Sequence, residues 1–283
     1  MLKKISILLE MIKFEHTVFA LPFAFMGAFL SARGVPDMRT CGWIILAMVG
    51  ARTCAMGFNR IVDRKYDKLN PRTASRALPA QTVKLSEAWA MVIVAAGFFF
   101  FACYNLNHLT LVLSPFALML TLFYSLTKRF TWLCHLVLGL ALAFSPLGGW
   151  VAVSGSLHNY PYALSIGVLF WVAGFDTVYA CLDAEFDARI GLFSLPARFG
   201  RQWAFRIAVL FHIIAFALFI LTGMHSRLNF VYYMGIVLTG AALFYQHIVV
   251  NPRDLSKIKL SFFTMNGIIS LTLFVATWLS LVV

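Results

Sequence analysis

Long apolar stretches constrain the fold of this 283-residue sequence more than any other feature. A helix that crosses the hydrocarbon core of a membrane needs roughly 20 apolar residues, because each residue adds about 1.5 Å of length. A closed β-barrel would instead show short segments of alternating polarity. The sequence therefore predicts an all-α polytopic membrane protein, with nine transmembrane helices in one bundle that forms a single domain over residues 1–283. The predicted spans cover about 16–33, 41–63, 86–104, 108–126, 131–153, 160–182, 202–222, 228–249 and 258–282.

The placement of charge predicts how the bundle is oriented. Only 12% of the residues are charged, against about 25% in a soluble domain. The net charge of +12 could suggest a nucleic-acid partner, but 19 of the 23 Lys and Arg residues fall on one side of the predicted bundle. By the positive-inside rule that side is cytoplasmic, which places the N-terminus inside and the C-terminus outside, in the cell inner membrane. The basicity is explained by topology, so no nucleic-acid partner is expected.

The first 14 residues are predicted to form an interfacial helix on the cytoplasmic leaflet. The apolar residues at positions 2, 5, 8, 9 and 12 share one helical face. Glu10 and Lys13 interrupt this run, and it is too short for a secretory signal. The five Cys are scattered singly and the seven His lack zinc-type spacing, so neither a disulfide framework nor a zinc site is expected.

Acidic residues are rare and concentrated in two places. Six of the eleven lie at the predicted cytoplasmic ends of the second and sixth helices: Asp63, Asp67, Asp176, Asp183, Glu185 and Asp187. The positive-inside rule gives no reason for carboxylates there. Ionisable groups at membrane depth are costly and by default mark a functional site.

Each place contains two carboxylates four residues apart, with a polar residue one turn earlier. Residues at this spacing share one face of a helix. The two sets are offset by 120 residues at all three positions, which indicates a faint internal duplication in which the second and sixth helices have matching roles. The sets are Asn59, Asp63 and Asp67, and Tyr179, Asp183 and Asp187.

Two carboxylate pairs that face each other would suit Mg²⁺, which completes its shell with water and phosphate oxygens. Neighbouring Arg and Lys could hold the remaining phosphate charge. A diphosphate carried on a lipid fits this arrangement, with its head at the membrane surface and its tail in the bundle. Two alternatives stay open: the acids could form only interfacial salt bridges, or they could bind ions in a cation-coupled transporter.

Three segments resemble motifs of a known family. NRIVDRKYD (59–67) is similar to the first aspartate motif of the UbiA superfamily of membrane prenyltransferases, and DTVYACLDAEFD (176–187) to the second. YSLTKR (124–129) resembles its Tyr/Lys motif, and RTASRALP (72–79) and GLFSLPARFG (191–200) resemble the tails of the two aspartate motifs. The chain looks most like the bacterial 4-hydroxybenzoate polyprenyltransferase group and related menaquinone-pathway enzymes.

The resemblance implies Mg²⁺-dependent transfer of a polyprenyl group from its diphosphate to a ring carbon of an aromatic acid, in quinone biosynthesis. Two Mg²⁺ ions would be held by Asp63, Asp67, Asp183, Asp187 and Asn59. Arg64 and Asp176 join the four aspartates as predicted catalytic residues. Predicted substrate-binding residues are Asn59, Arg60, Tyr124, Lys128, Arg129, Tyr179, Arg76 and Arg198. The active-site loops are expected at 64–85 and 183–201, on the cytoplasmic side.

Two details of the site stay open at this point. Asn59 is followed by Arg60 where many family members have an acid, so the acceptor could be a dihydroxynaphthoate instead of a hydroxybenzoate. Asp176 is expected to orient Arg64 or Arg129 or to help activate the phenol, or else to pair with Arg52.

Overall fold

The computed structural model describes residues 11, 17–258 and 264–283. Within these ranges the chain forms ten α-helices, and the one β-type contact is an isolated bridge between Asn251 and Asp254. The predicted interfacial helix at 1–14 lies outside the described residues, except for Met11. The helices are α1 Thr17–Ala32, α2 Met38–Leu69, α3 Leu85–Leu106, α4 His108–Thr127, α5 Cys134–Ser154, α6 Tyr162–Ala180, α7 Ala184–Ile190, α8 Leu195–His225, α9 Phe230–Val249 and α10 Asn266–Val282.

The predicted all-α polytopic fold is confirmed at the level of helix length and composition. Six of the described helices, α2 to α6 and α8, are long and apolar enough to cross a membrane. The apolar helices α1 and α10 are shorter, at 16 and 17 residues, and α9 has 20. The predicted number of nine spans is therefore not established, and the orientation of the termini stays a prediction.

The structure corrects the prediction that Asp183 and Asp187 project from one face of the sixth helix. That helix, α6, ends at Ala180, and Asp183 is the N-cap of the separate short helix α7. Gly191 then ends α7 with a φ of 76°, a backbone conformation that glycine adopts without strain. In contrast, α2 is continuous through Asp63 and Asp67. The two acidic sets thus have different backbone geometry despite their matching sequence pattern.

Both predicted active-site loops are shorter than expected. Helix α2 continues to Leu69, so the first loop covers residues 70–84 and not 64–85. The second predicted loop, 183–201, contains α7 and the first turns of α8. Ser194 caps α8 by accepting a hydrogen bond from the backbone N–H of Ala197. The loop residues are therefore positioned mainly by helix ends.

The apolar core is divided into two parts. One cluster joins α1, α5, α6, α8, α9 and α10 around the buried side chains of Phe23, Trp171, Phe219 and Tyr232. A second cluster joins α2, α3 and α4. Helix α5 packs against α1, α2, α3, α4 and α6, and so connects the two parts.

Small residues allow α1 and α5 to pack with their backbones in contact. A Cβ atom on Gly149 would lie 1.8 Å from the carbonyl oxygen of Ala24, and one on Gly27 would lie 1.9 Å from that of Pro146. Lipid is as apolar as a helix surface, so helix association in membranes depends on such close packing. A Cβ atom added to the neighbouring Gly148 would meet no other atom within 4 Å.

We expect Gly149→Ala to lower the thermal unfolding temperature of the detergent-purified protein by several degrees, because the added methyl would displace the α1 backbone. Gly148→Ala is the matched control and should leave the unfolding temperature unchanged or slightly raised, because alanine favours a helix over glycine by about 1 kcal/mol. Equal unfolding temperatures for the two variants would contradict the close α1–α5 contact.

Candidate active site

One large cavity, of about 1040 Å³, opens between the two parts of the bundle. Sites for small molecules typically measure roughly 300–1,000 Å³. The cavity is lined along α2 from Ile44 to Asp67. Because Ile44 and Asp63 are 19 residues apart on a continuous helix, the cavity follows about 28 Å of α2. It is therefore long enough to hold an extended apolar chain, with a polar group at one end.

All four predicted aspartates line the polar end of this cavity. Asp63 and Asp67 come from α2, whereas Asp183 and Asp187 come from α7 and its N-cap. The Asp67 and Asp187 residues are buried, with 7% and 2% of their surface exposed. Carboxylates this deeply buried need a compensating positive charge.

Each of the four carboxylates is paired with one basic side chain from another segment. Arg72 and Arg76 come from the loop 70–84, and Lys128 and Arg129 directly follow α4. The cavity end therefore contains an equal number of formal negative and positive charges in these pairs. The pairs are Asp63–Arg129 at 3.4 Å, Asp67–Arg76 at 2.7 Å, Asp187–Lys128 at 2.8 Å, and Asp183–Arg72.

Lys128 and Arg129 connect the two acidic sets. The Lys128 Nζ donates to Asp187 Oδ2, and Arg129 Nη2 donates to Asp63 Oδ1 and, at 2.8 Å, to the carbonyl of Val62. Because adjacent Cα atoms are only about 3.8 Å apart, two consecutive residues can reach both sets only if the sets face a common space. The structure thus brings all four aspartates together at one end of the cavity.

Arg72 is a site residue that sequence analysis missed. Its guanidinium donates to both carboxylate oxygens of Asp183, with Nε 2.8 Å from Oδ1, and lies over the Tyr179 ring at 5.7 Å. Asn70 Nδ2 donates to the same Oδ1 at 2.9 Å. The sequence contained a signal for Arg72. Asn70 and Pro71 end α2 close to Asp67, so Arg72, the residue that follows, lies near the acidic set.

These ion pairs shift the pKa values of Asp183 and Lys128, which lie outside the membrane-spanning helices. Burial by itself would raise the pKa of Asp183, but the hydrogen bonds and charge of Arg72 outweigh it, and the pKa lies below the ordinary carboxyl value. Burial would lower the pKa of Lys128, but the charge of Asp187 and the hydrogen bond to it outweigh burial, and the pKa is raised. Both side chains are therefore charged at neutral pH.

Asp176 lies deeper along the cavity, and its partner corrects the sequence prediction. It was expected to contact Arg64, Arg129 or Arg52, but its Oδ2 lies 2.7 Å from Nδ1 of His135 on α5. The backbone N–H of Leu195 points to His135 Nε2 at 3.3 Å. An N–H group can only donate, so Nε2 carries a lone pair and Nδ1 carries the proton given to Asp176. His135 is fully buried and fixes the orientation of the carboxylate.

Arg52 on α2 is a second polar group along the cavity wall. It precedes Asp63 by 11 residues, or about 16 Å of helix. No acid among the described residues forms a salt bridge with it, and its Nε atom is buried without a hydrogen-bond partner in that part of the chain. A guanidinium with a buried nitrogen that lacks a partner is unfavourable unless an anion binds beside it.

Most of the other predicted binding residues line the cavity. Asn59 Nδ2 donates to Asp63 Oδ2 at 3.0 Å, and buried Arg60 donates through Nε to the carbonyl of Met11 at 3.2 Å. Tyr124 and Tyr179 also line it, with Tyr124 on α4 and Tyr179 near the end of α6.

Two predicted residues, Arg64 and Arg198, lie outside the cavity. Both are exposed, and Arg64 Nη1 donates a hydrogen bond to the carbonyl of Ile61 on the same helix. Successive residues of an α-helix point about 100° apart, so the neighbour of an inward-facing Asp63 faces outward. Arg198 lies on the exposed side of the first turns of α8. Neither residue lines the cavity in this structure, and their assignment to the site stays a prediction.

The donor set at the polar end fits a hard divalent cation. Carboxylate and amide oxygens are the protein ligands that Mg²⁺ prefers. Asp67 Oδ2 is buried and has no hydrogen-bond partner among the described residues, so one acceptor position is unfilled. Within those residues, no three acidic, His or Cys side chains are already gathered closely enough to hold a metal. Binding a metal would therefore require the carboxylates to exchange some of their basic partners.

The chain is similar in sequence to proteins of known activity. The profile described as the UbiA prenyltransferase family matches residues 20–268. A 4-hydroxybenzoate octaprenyltransferase from Vibrio cholerae is 32% identical over 225 residues, which cover 80% of this chain and 79% of the relative.

Solved structures show the same fold. The apo structure of a UbiA homologue from Aeropyrum pernix is 36% identical, with a TM-score of 0.86 over 93% of this chain and 96% of the homologue. A UbiA homologue from Archaeoglobus fulgidus, bound to GPP and Mg²⁺, is 17% identical with a TM-score of 0.70, covering 98% of this chain and 100% of that one.

The Asp183–Arg72 pair predicts a pH-dependent contribution to stability. The folded pKa of Asp183 is lowered, so the pair stabilises the protein above the unfolded carboxyl pKa of about 4, and this contribution is lost as the pH falls through the folded pKa. In metal-free buffer we expect Asp183→Asn to unfold at a lower temperature than the wild type at pH 7, with the difference shrinking below about pH 4.

Glu185→Gln is the matched control for this measurement. The Glu185 side chain is 87% exposed and pairs with Arg201, and exposed ion pairs contribute little. A destabilisation by Asp183→Asn that does not change with pH would show that the charge of Asp183 is not the stabilising feature.

Proposed function

The chain belongs to the UbiA prenyltransferase family, and from that premise we propose that it transfers a polyprenyl group from its diphosphate to a ring carbon of an aromatic acid of the 4-hydroxybenzoate type. The reaction would require Mg²⁺, take place at the cytoplasmic face of the inner membrane and serve quinone biosynthesis. The name of the Vibrio cholerae relative supports the acceptor, and the GPP and Mg²⁺ bound to the Archaeoglobus fulgidus homologue support the donor and the metal.

One observation carries the proposal: a cavity that follows about 28 Å of α2 ends at four aspartates and four basic side chains. A polyprenyl diphosphate has the same division between a long apolar chain and a highly charged head. A cation-coupled transporter would need ionisable residues near the membrane midplane on several helices, but the four paired aspartates are gathered at one end of the cavity.

The diphosphate would bind by an exchange of partners. Asp63, Asp67, Asp183, Asp187 and Asn59 would give up their present partners and hold two Mg²⁺ ions.

 Carboxylates of α2 and carboxylates at the start of α7 would thus both supply metal ligands. When bound, the metal would stabilise the charge that develops on the leaving diphosphate.

The basic side chains released by this exchange would turn to the phosphate oxygens. Arg72, Arg76, Lys128 and Arg129 come from segments outside the membrane-spanning helices, so they can reorient without moving the bundle. Arg guanidinium groups bind phosphate oxygens in bidentate geometry, and Lys128 adds a point charge. With Tyr124 donating a hydrogen bond, these groups would hold the leaving group as negative charge grows on it.

The acceptor would lie beside Arg52 and Asp176. Arg52 would bind the carboxylate of the aromatic acid, which would supply the anion that this guanidinium lacks among the described residues. As a ring carbon bonds to the allylic carbon, the allylic C–O bond breaks and its electron pair stays on the diphosphate. The ring carbon then loses its proton to a base. Asp176, oriented by the His135 N–H, is proposed to promote this step by accepting a proton from the acceptor.

The direct test is an assay of membranes that contain the protein, with polyprenyl diphosphate, Mg²⁺ and either 4-hydroxybenzoate or dihydroxynaphthoate, and with the product identified by mass. We expect a prenylated hydroxybenzoate whose formation stops with EDTA. Asp63→Asn and Asp187→Asn should each slow it at least ~100-fold, because each removes a ligand and leaves a basic partner unpaired. Full activity in both variants would remove the proposal.

The same assay separates the roles of the two acceptor residues. Arg52→Gln should raise KM for the aromatic acid about 10- to 100-fold and leave KM for the diphosphate unchanged, because a charged hydrogen bond is lost. Asp176→Asn should lower kcat about 100-fold with little change in either KM. Arg64→Gln, at an exposed position off the cavity, should match the wild type. A reduced kcat in Arg64→Gln would restore that residue to the site.

A further inference from the structure

A second, smaller cavity lies at the opposite end of the bundle. It measures about 270 Å³ and is lined by residues that follow α1, α5 and α8, among them Arg33, Asn159 and Arg227. Arg33 precedes the start of α2, and Asp63 lies 25 residues along that helix, or about 38 Å away. The hydrocarbon core is about 30 Å thick, so the two cavities belong to opposite membrane faces.

This small cavity is lined by hydrogen-bond donors and by no carboxylate. Two guanidinium groups, Arg33 and Arg227, face it together with the His225 imidazole and the Asn159 amide. The Trp150 ring is 8% exposed, and its Nε1 atom is buried without an acceptor among the described residues. An indole N–H can only donate, and a buried donor without a partner is costly.

The backbone at this cavity is unusual in the same way at three places. Four non-glycine residues in the described ranges have a positive φ, and three of them line this cavity: Arg33 at 51°, Asn159 at 56° and Arg227 at 54°. Asparagine tolerates this conformation, whereas arginine adopts it at a cost.

Both arginines occupy the position after a helix that glycine usually takes. The N–H of Gly34 donates to the carbonyl of Phe29, and the N–H of Leu228 donates to that of Gly223. In each case the donor lies five residues after the acceptor, which is the hydrogen bond of the Schellman motif. Arg33 and Arg227 therefore occupy the left-handed position of two helix-ending motifs. A glycine is even present at position 34, one residue too late to relieve the strain at Arg33.

The two arginine side chains differ in their contacts, because only that of Arg33 caps a helix. Arg33 Nη1 donates to the carbonyl of Ser226 at 2.6 Å, which satisfies the C-terminal end of α8. The Arg227 side chain is exposed and has no hydrogen bond or ion pair to another side chain within the described ranges, so its guanidinium is free to bind a ligand. The Trp150 N–H likewise has no role in the fold. Strained residues that gather around one cavity indicate a binding function.

We propose that this cavity binds a phosphate group on the membrane face opposite the active site. Arg33 and Arg227 would hold the phosphate oxygens, and the Trp150 N–H would donate to one of them. The phosphate could belong to an anionic phospholipid headgroup or could be free inorganic phosphate. The site is independent of the prenyl-transfer chemistry.

The test uses the full protein purified in an uncharged detergent, with its thermal unfolding temperature measured against added phosphatidylglycerol or inorganic phosphate. We expect a saturable rise for the wild type, and a half-saturating concentration raised at least ~10-fold in Arg227→Asn. Asparagine suits the left-handed backbone, so this variant should be no less stable than the wild type without ligand. Trp150→Phe, which removes only the N–H donor, should also weaken the effect.

Arg39→Gln is the matched control, because it removes one exposed positive charge near the same end of α2 but outside the cavity. It should bind like the wild type. A rise caused only by phosphatidylglycerol would identify a lipid headgroup as the ligand, and an equal rise with inorganic phosphate would identify free phosphate. No difference between Arg227→Asn and the wild type in either titration would overturn the proposal, since the cations of the active site would then explain any rise.

Discussion

Placing four carboxylates, two of them buried, at the end of an apolar bundle requires compensating positive charges close by, and the arrangement of the rest of the site depends on this requirement. Two of the four basic side chains come from the loop 70–84 and two from the residues after α4. Their pairing ties these segments to α2 and α7, which lie on different sides of the cavity. The same charges that hold the polar end together are also the groups that a metal–diphosphate complex would need, so binding can proceed by exchanging partners that are already in place.

The helices supply what the charged segments cannot, which is a fixed distance between the polar end and a long apolar space. Helix α2 carries both Ile44 and Asp67 along the cavity, and α5 packs closely against α1 at Gly149 and against α2, α3 and α4 on its other sides. Arg52 and the Asp176–His135 pair lie between these ends, where an acceptor would meet the reacting end of a prenyl chain. Along α2 the cavity would thus hold the leaving group at its polar end, the acceptor beside Arg52 and Asp176, and the prenyl chain in its apolar part.

Sequence reasoning was most successful where the physical cause is local. Apolar stretches of membrane length predicted the helices, and scarce acids at four-residue spacing predicted the aspartates that the structure gathers at one cavity end. It failed at the end of α6, because the D-x-x-x-D spacing is the same in a continuous helix and in a helix that stops and restarts at Asp183. Arg64 does not line the cavity although Asp63 does, because residues adjacent in sequence do not share a helix face. Arg72 and His135 were missed because their partners, Asp183 and Asp176, lie 111 and 41 residues away.

The central claim is that the four aspartates exchange their basic partners for a shared metal–diphosphate complex. A structure of the protein with Mn²⁺ and an unreactive prenyl thiodiphosphate tests this most directly, with the metal located by its anomalous scattering. The account predicts metal density between the α2 and α7 carboxylates, with Arg72 and Lys128 turned to the phosphate oxygens. Metal density elsewhere, or a bound diphosphate beside four intact salt bridges, would contradict it.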